Sequence, residues 1–283
     1  PHDLQSLSFK SHLEKEEFEH MVRSAKQLIR LGDMFQCVLS QRFSSDISGN
    51  PFDYYRKLRV TNPSNYLYFY DFEDYQIIGA SPESLVSVKD GIVTTNPIAG
   101  TRPRGNDDEE DQRLAADLST DTKEVAEHRM LVDLGRNDIG RIAQIGTVEV
   151  TKYMEVEYFR YVMHLTSIVK GQLLENLTVL DALKATLPAG TVSGAPKIRA
   201  MQRIYELEKE KRGIYAGAIG YLSATGDMDF AISIRTMVVK NRKAYVQAGA
   251  GIVYDSVPEN EYQETLNKAK AMTKMGECYD SFN

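Results

Sequence analysis

The sequence has little cysteine, no long apolar run and no recognisable export signal. Its two cysteines, Cys37 and Cys278, are far apart and form no Cys-x-x-Cys pair, so neither a disulfide framework nor a thiolate metal site is indicated. No stretch approaches the roughly 20 apolar residues that a membrane span requires. The first residues lack the charged and then apolar pattern of a signal peptide. These absences predict a cytoplasmic protein that does not enter the membrane.

An excess of positive charge is also missing. The chain carries 34 lysines and arginines against 40 aspartates and glutamates, which gives a net charge of −6 and a pI near 5.5. Contact with a phosphate backbone needs a basic face, so we do not expect nucleic acid as a partner. The hydrophobic content of 42% is sufficient for a substantial buried core.

No linker, internal repeat or low-complexity tract divides the 283 residues. A single catalytic domain over 1–283 is therefore the simpler prediction, although the length would also accommodate two ordinary domains. The chain opens at Pro1 with a polar segment from His2 to Lys10 that begins no recognisable element. We expect this domain to lack an upstream N-terminal region.

Hydrophobic periodicity predicts an α+β protein. Apolar residues recur at helical spacing from Glu14 to Leu31, and the acidic run at 105–118 predicts a solvated loop that leads into a helix. Strands separated by short turns, without a βαβ rhythm, predict large antiparallel or mixed sheets. Strands are predicted at 34–43, 66–72, 76–79, 92–95, 147–155, 160–170, 217–223, 230–239 and 244–253, and further helices at 122–133, 178–186, 196–211 and 259–275.

Two segments place glutamates three residues apart on predicted helices. They are Glu124 and Glu127 in KEVAEHRM, and Glu261 and Glu264 in ENEYQET. The spacing puts both carboxylates of a pair on one helix face, and carboxylate oxygens are the ligands that Mg²⁺ prefers. The alternative is a solvated helix face, where such pairs are common. The apolar stretch that follows Glu127 favours a role in a buried site.

A small-residue loop at 188–201, PAGTVSGAPKIRAM, leads into a predicted helix. A helix N-terminus offers unpaired N–H groups and a positive dipole end, which suit an anionic ligand. The alternative is a tight turn with Ser193 as the helix cap. The glycine spacing is not that of a Walker loop, and Pro196 separates the last glycine from Lys197.

Several single residues stand out within apolar runs. Gly249 and Gly251 end an apolar strand, where a glycine marks a bend or a place at which the backbone meets a ligand. His164 in VMHLTS, Arg235 in AISIRTM and Tyr215 are polar groups in apolar surroundings. A single polar residue in such a run is more often a hydrogen-bonded structural residue than a catalytic one, and this alternative applies to all three.

These segments, in this order, resemble the chorismate-utilising enzymes, a family that includes anthranilate synthase large subunits (component I), aminodeoxychorismate synthases, and isochorismate and salicylate synthases. The resemblance spans most of the chain. The matching stretches are IIGASPESLV at 77–86, NPIAGTRPRG at 96–105, DTKEVAEHRMLVDLGRNDIGR at 121–141, PAGTVSGAPK at 188–197, DFAISIRT at 229–236 and AGAGIVYDSVPENEYQET at 248–265.

The resemblance implies a four-layer sandwich of two large mixed or antiparallel sheets covered by helices, with one active site in the cleft between the sheets. It places Mg²⁺ on Glu127 and Glu264, with Glu261 beside them in the metal site and Glu124 among the catalytic groups. The bound metal would orient the ring carboxylate of chorismate and withdraw electron density from the ring as the hydroxyl leaves.

The resemblance also implies the contacts of the substrate. His164 would lie near the departing ring hydroxyl as its proton donor or electrostatic partner, and Thr191 would hydrogen-bond the substrate. Tyr215 and Arg235 would bind the enolpyruvyl carboxylate. The full set of implied substrate-binding residues is Tyr215, Arg235, Gly249, Gly251, Lys197, Gly100 and Thr101.

Two positions divide this family by the nucleophile. Members that add water carry a lysine base where this chain has Gln36, and aminodeoxychorismate synthases typically carry a lysine where it has Ala99. Gln36 with Ala99 therefore favours direct attack of ammonia on the ring, loss of the hydroxyl, and elimination of pyruvate to give anthranilate, as in tryptophan biosynthesis. Aminodeoxychorismate synthase is the alternative enzyme.

The resemblance implies a separate glutamine amidotransferase subunit as the ammonia source, because no Cys-His-Glu glutaminase arrangement is visible. Cys37 lies in a predicted apolar strand and is interpreted as a core residue. A non-catalytic module that senses an aromatic metabolite is a further alternative. It would require damage at the metal or histidine positions, and the sequence shows none.

Overall fold

Two seven-stranded sheets organise the chain in a computed structural model that describes residue 4, residues 7–159 and residues 162–273. Backbone contacts divide it into two units. The first comprises the described residues up to Pro82, Thr191–Gly217 and the described residues from Ile232 onwards. The second comprises Glu83–Gly190 and Ala218–Ala231. The single domain over 1–283 stays a prediction.

The sheet of the first unit has the order β1-β2-β14-β13-β4-β3, with β10 paired to β2. Its centre is an antiparallel pair of long strands, which is in register from Cys37 opposite Ile252 to Asp46 opposite Lys243. Nearly every residue in the first half of β2 is buried, as expected for a strand covered on both faces. The strands are β1 (Lys10–Ser11), β2 (Gln36–Asp46), β3 (Tyr66–Asp71), β4 (Tyr75–Ser81), β10 (Gly194–Ala195), β13 (Thr236–Lys240) and β14 (Lys243–Ile252).

Amphipathic helices cover this sheet. The first begins at a capping box in which Glu14 and Glu17 satisfy each other's backbone N–H groups, and it buries Phe18 and Met21 against β2 and β14. The last helix packs on β14. The helices of this unit are α1 (Lys15–Arg30), α2 (Pro51–Thr61), α6 (Lys197–Leu207) and α7 (Pro258–Thr273).

The sheet of the second unit has the order β11-β12-β5-β6-β9-β7, and β8 also pairs with β9. Strand β9 is central, since β6, β7 and β8 all run antiparallel to parts of it. A register shift lies between Ala99 and Thr101 of β7, at Gly100, whose φ is +73°. The strands are β5 (Ser84–Lys89), β6 (Ile92–Thr95), β7 (Ile98–Pro103), β8 (Glu149–Tyr158), β9 (Val162–Gln172), β11 (Ala218–Leu222) and β12 (Met228–Ile232).

Three helices pack on this second sheet, and aspartates begin two of them. The carboxylate of Asp107 accepts the Glu110 N–H at the start of α3, and that of Asp121 accepts the N–H groups of Lys123 and Glu124 at the start of α4. The core beneath α3 contains Leu118 and residues of β9. The helices are α3 (Asp108–Thr120), α4 (Thr122–Gly140) and α5 (Val179–Thr186).

The predicted α+β class with two large sheets is confirmed, and most predicted elements lie within a few residues of the observed bounds. The single strand predicted at 230–239 is wrong. Strand β12 ends at Ile232, β13 begins at Thr236, and the two belong to different sheets because the backbone turns at Arg235, where φ is +50°. The predicted helix 196–211 ends earlier, at Leu207.

The sequence interpretation also missed elements. Helix α2 was not predicted, although Asn50 as cap and Pro51 as first residue are its ordinary start signals. Parts of other predictions, at Arg160, at Met275 and at Cys278, lie outside the described residues. Among the helices that the structure describes, none is long and apolar enough to cross a membrane.

Candidate active site

His164 in the second unit is held by the neighbouring strand β7. Its Nδ1 lies 3.0 Å from the carbonyl oxygen of Gly100 and 3.0 Å from the hydroxyl of Thr101. Because a carbonyl oxygen only accepts, Nδ1 carries a proton that it donates to Gly100. In the neutral imidazole, Nε2 then has the lone pair, and proton donation from Nε2 requires the doubly protonated ring. The register shift at Gly100 gives His164 both of these partners.

Glu124 lies against the same glycine. A methyl group built on Gly100 would lie 3.2 Å from a Glu124 carboxylate oxygen, and the φ of +73° at Gly100 further disfavours any larger residue there. The second unit thus gathers four of the residues predicted to form the site, namely Gly100, Thr101, Glu124 and His164. Ala99 is paired with Leu165 at the next position along the same two strands.

Arg102 orders the start of the glutamate-bearing helix, and the sequence interpretation missed it. Its guanidinium donates to Asp117 at 2.7 Å and to Asp121 at 2.9 Å, and it lies 3.6 Å from a Glu124 oxygen. The hydrogen bond to Asp117 contributes most to raising the pKa of Arg102. The hydrogen bond from the Glu124 N–H contributes most to lowering the pKa of Asp121. Both groups therefore stay charged.

His128, next to Glu127 on α4, is fully buried and was also missed. Its Nε2 lies 2.6 Å from the Ser167 hydroxyl, which also accepts the Met154 N–H at 2.9 Å. Burial lowers the pKa of His128 to about 4, so the ring is neutral at pH 7. This contact ties the helix that carries Glu124 and Glu127 to strand β9. Glu127 is itself half-buried.

In the first unit, two glycines of β14 admit polar side chains to the strand. A methyl group built on Gly249 would lie 2.7 Å from the Tyr215 hydroxyl, and one built on Gly251 would lie 2.7 Å from the Gln36 side-chain nitrogen. Glycine therefore allows the close approach of each neighbour. Two pairs of predicted site residues are therefore neighbours: Tyr215 lies beside Gly249, and Gln36 lies beside Gly251.

Helix α7 adds its own carboxylates and a lysine that the sequence interpretation missed. The ammonium group of Lys268 lies 2.6 Å from a Glu264 oxygen and donates to the Gly249 carbonyl at 3.0 Å. Glu261 is buried, with 8% of its surface exposed, whereas the Glu264 side chain is 45% exposed. Lys268 thus connects the predicted metal ligand Glu264 to the glycine strand. Its sequence signal was the i, i+4 spacing from Glu264.

Arg235 occupies the turn between β12 and β13. Its backbone is left-handed, and its guanidinium has no hydrogen-bond or ion-pair partner among the described residues. Burial lowers the pKa of this arginine, because the charged form loses its hydration. A partly buried cation without a carboxylate is unfavourable unless an anion arrives to pair with it.

The small-residue loop carries Thr191 and leads to Lys197. The Thr191 hydroxyl is buried and has no hydrogen-bond partner within the described ranges. Helix α6 begins at Lys197 with Pro196 as its N-cap residue and no side-chain cap. The alternative that Ser193 caps this helix is therefore wrong. The loop instead adds β10 to the sheet beside Cys37 and Gln36.

The glutamate pairs provide the type of ligand that Mg²⁺ prefers. Glu124 and Glu127 lie one turn apart on α4, and Glu261 and Glu264 one turn apart on α7, all in helices that the structure describes. No three acidic, histidine or cysteine residues of the described chain cluster as a metal-binding group. Because Mg²⁺ commonly takes one or two protein carboxylates and completes its shell with water and substrate oxygens, the donor set of each pair fits this ion.

The chain belongs to the chorismate binding enzyme family, because the sequence profile of that family matches residues 1–274. The resemblance inferred from the motifs is therefore confirmed at the level of the family.

Individual proteins of known sequence or structure also match this chain. Anthranilate synthase component 1 of Lactococcus lactis subsp. lactis (strain IL1403) is 63% identical over 97% of this chain and 60% of its own length. A crystal structure of anthranilate synthase component I from Streptococcus pneumoniae TIGR4 is 76% identical with a TM-score of 0.90, over 96% of this chain and 60% of that one. The menaquinone-specific isochorismate synthase MenF of Escherichia coli is 27% identical with a TM-score of 0.88, over 97% and 64%. The chain thus spans about 60% of the length of the Lactococcus and Streptococcus proteins.

Proposed function

We propose that this chain converts chorismate and ammonia into anthranilate, pyruvate and water, as a component of an anthranilate synthase in tryptophan biosynthesis. The support is the family membership, together with relatives of 63% and 76% identity that carry the name anthranilate synthase component 1 or I. Gln36 and Ala99, at the two positions that divide the family by nucleophile, favour ammonia over water and over a lysine adduct.

The residues of the second unit supply the proton chemistry in this proposal. His164, anchored through Nδ1 to Gly100 and Thr101, presents Nε2 to the ring hydroxyl as its proton donor or electrostatic partner when it leaves. Glu124 is the carboxylate beside Gly100. Arg102 orders the start of α4, which carries Glu124, through its hydrogen bonds to Asp117 and Asp121.

The residues of the first unit bind the two carboxylates of the substrate. Arg235 and Tyr215 take the enolpyruvyl carboxylate. The backbone at Gly249 and Gly251 and the Lys197 ammonium group take the ring carboxylate, and Thr191 offers its buried hydroxyl as a hydrogen-bond donor. The glycines keep the strand surface clear, since a methyl group on either would meet Tyr215 or Gln36.

The proposal includes Mg²⁺ and a protein partner. Glu127 and Glu264 would hold the metal, with Glu261 on α7 as a further carboxylate, and the ion would supply Lewis-acid chemistry at the ring carboxylate. A glutamine amidotransferase subunit supplies the ammonia. The location proposed for this chemistry is the cytoplasm.

The observation that carries the proposal is the Arg235 guanidinium. A charge that is withdrawn from water and has no partner in the described chain lowers stability unless it serves an anionic ligand. Chorismate offers two carboxylates, and the enolpyruvyl one suits a single arginine fork. The backbone at this residue is left-handed, a conformation that is uncommon outside glycine and is found more often at functional sites.

The test is chorismate binding by calorimetry, with Mg²⁺ present and ammonium absent. Arg235→Gln should weaken binding at least about tenfold, because a charge-assisted hydrogen bond is lost. Arg242→Gln is the matched control, since Arg242 also has a left-handed backbone, with φ of +59°, and is exposed. Equal affinity of wild type and Arg235→Gln would contradict the assignment.

A further inference from the structure

The Arg212 side chain joins three segments of the first unit. Its guanidinium donates to the carbonyl oxygen of Val38 at 2.6 Å and to that of Val192 at 2.7 Å. It also donates to both oxygens of Glu208, at 2.9 and 2.7 Å. Val38 belongs to β2, Val192 follows Thr191, and Glu208 lies at the end of α6, so one planar group connects all three.

The Glu208 carboxylate is fully committed to this network. Its Oε1 also accepts the Ser40 N–H at 2.8 Å and the Ser40 hydroxyl at 2.9 Å, and only 6% of its side chain is exposed. Burial acts to lower the pKa of Arg212, but the bond to Glu208 and its charge outweigh burial, so the pKa is raised. Because every partner is satisfied, the buried ion pair is a fixed structural point.

The same guanidinium faces the Tyr215 ring. Its central carbon lies 5.4 Å from the ring centroid, within the range of a cation–π contact. The backbone adds a second tie, since the Tyr215 N–H donates to the Arg212 carbonyl at 3.2 Å. The Tyr215 hydroxyl, in turn, is the group that a methyl on Gly249 would meet.

We propose that Arg212 is a positioning residue, which aligns Tyr215 and the Thr191 loop for substrate binding without touching the substrate. This inference rests on the proposed roles of Tyr215 and Thr191. It goes beyond those roles because Arg212 acts on two binding residues at once. It contacts the ring of Tyr215, and it donates to the carbonyl oxygen of Val192, the residue after Thr191. The loop is held from the other side by the Val38 N–H, which donates to the Ser193 carbonyl at 2.8 Å.

Lysine cannot replace this arginine in the network. Four hydrogen bonds in fixed directions and a ring contact need a planar fork, whereas an ammonium group is a point charge with three donors. Arg212→Lys should therefore keep the charge and the buried pair with Glu208, but release Val38, Val192 or the Tyr215 ring. The substitution separates alignment from charge.

The test compares Arg212→Lys with Arg203→Lys in steady-state kinetics. Arg203 lies on α6 and pairs with Asp33 and Glu206, so its conversion to lysine is a matched control. Arg212→Lys should raise KM for chorismate about tenfold and leave KM for ammonium within about twofold, because only the substrate-aligning contacts are lost. In a Tyr215→Phe background the same change should have a smaller effect, since coupled residues are not additive.

A second measurement does not depend on chorismate. Amide hydrogen exchange in the ligand-free protein should be faster in Arg212→Lys than in Arg203→Lys at Val38 and Tyr215, whose N–H groups tie the loop and the ring. If Arg212→Lys does not fold, Glu208→Gln replaces it, and the same shift in exchange is expected. Unchanged exchange at both amides, or effects on KM that multiply with those of Tyr215→Phe, would overturn the inference. If the wild-type protein did not bind chorismate, only the proposed function would be refuted. Amide hydrogen exchange in the ligand-free variants would still test whether Arg212 holds the loop and the Tyr215 ring.

Discussion

Adding a single methyl group at Gly249 should damage both stability and substrate binding. A Cβ built there lies 2.7 Å from the Tyr215 hydroxyl, 3.0 Å from the Leu39 carbonyl oxygen and 3.0 Å from a Val38 methyl. The hydroxyl can swing away, but the Leu39 oxygen is backbone in the neighbouring strand β2 and cannot move without disturbing the sheet. Overpacking of this kind costs about 1–3 kcal/mol.

Gly249→Ala should therefore lower the free energy of urea unfolding by about 1–3 kcal/mol. Displacement of Tyr215 should also raise KM for chorismate about tenfold, since small misplacements of a binding group are costly. Gly140→Ala is the matched control, because Gly140 ends helix α4 with nothing within 4 Å of a built Cβ. It should be neutral or stabilising by up to about 1 kcal/mol. The reasoning is refuted if Gly249→Ala unfolds and binds like wild type, or if both variants lose stability equally.

Three further predictions concern the carboxylates and the histidines. Glu127→Gln and Glu264→Gln should each reduce anthranilate formation at least about a hundredfold in a fluorescence assay, because a neutral amide is a poor Mg²⁺ ligand; full activity in either variant would disprove the metal assignment. Thr101→Val should lower kcat about tenfold, since it removes one of two partners that orient His164. Burial lowers the pKa of His128 to about 4, whereas the pKa of a histidine in the unfolded chain is near 6.5. The neutral His128 ring therefore contributes its full stabilisation above pH 6.5, and the free energy of unfolding falls by about 3 kcal/mol as the pH drops to 4. Urea unfolding of wild type against His128→Gln at pH 7 and pH 4 should reveal this difference, and identical pH dependence in the two would contradict it.

Features that depend on the spacing of residues close in the sequence could be predicted. Pairs of glutamates at i and i+3 could be recognised on α4 and α7, and the glycines of β14 could be recognised at a strand end. Periodicity likewise predicted the long helices, because each buries one face against a sheet. The family resemblance then supplied roles that spacing alone left open.

Contacts that depend on strand register or on distant segments could not be predicted. The bond between Thr101 and His164 joins residues 63 positions apart, and it exists only because β7 shifts register at Gly100. The apolar run around Arg235 reads as one strand, since nothing in it signals that the backbone becomes left-handed there. Arg212 is unremarkable in sequence, yet its four hydrogen bonds reach residues up to 174 positions away.

The most direct test of the account is to incubate the purified chain with chorismate, Mg²⁺ and ammonium at mildly alkaline pH and follow anthranilate fluorescence, with EDTA as the control. We predict a fluorescent product that EDTA abolishes. Consumption of chorismate without anthranilate, or no consumption by a folded chain, would contradict the proposed function.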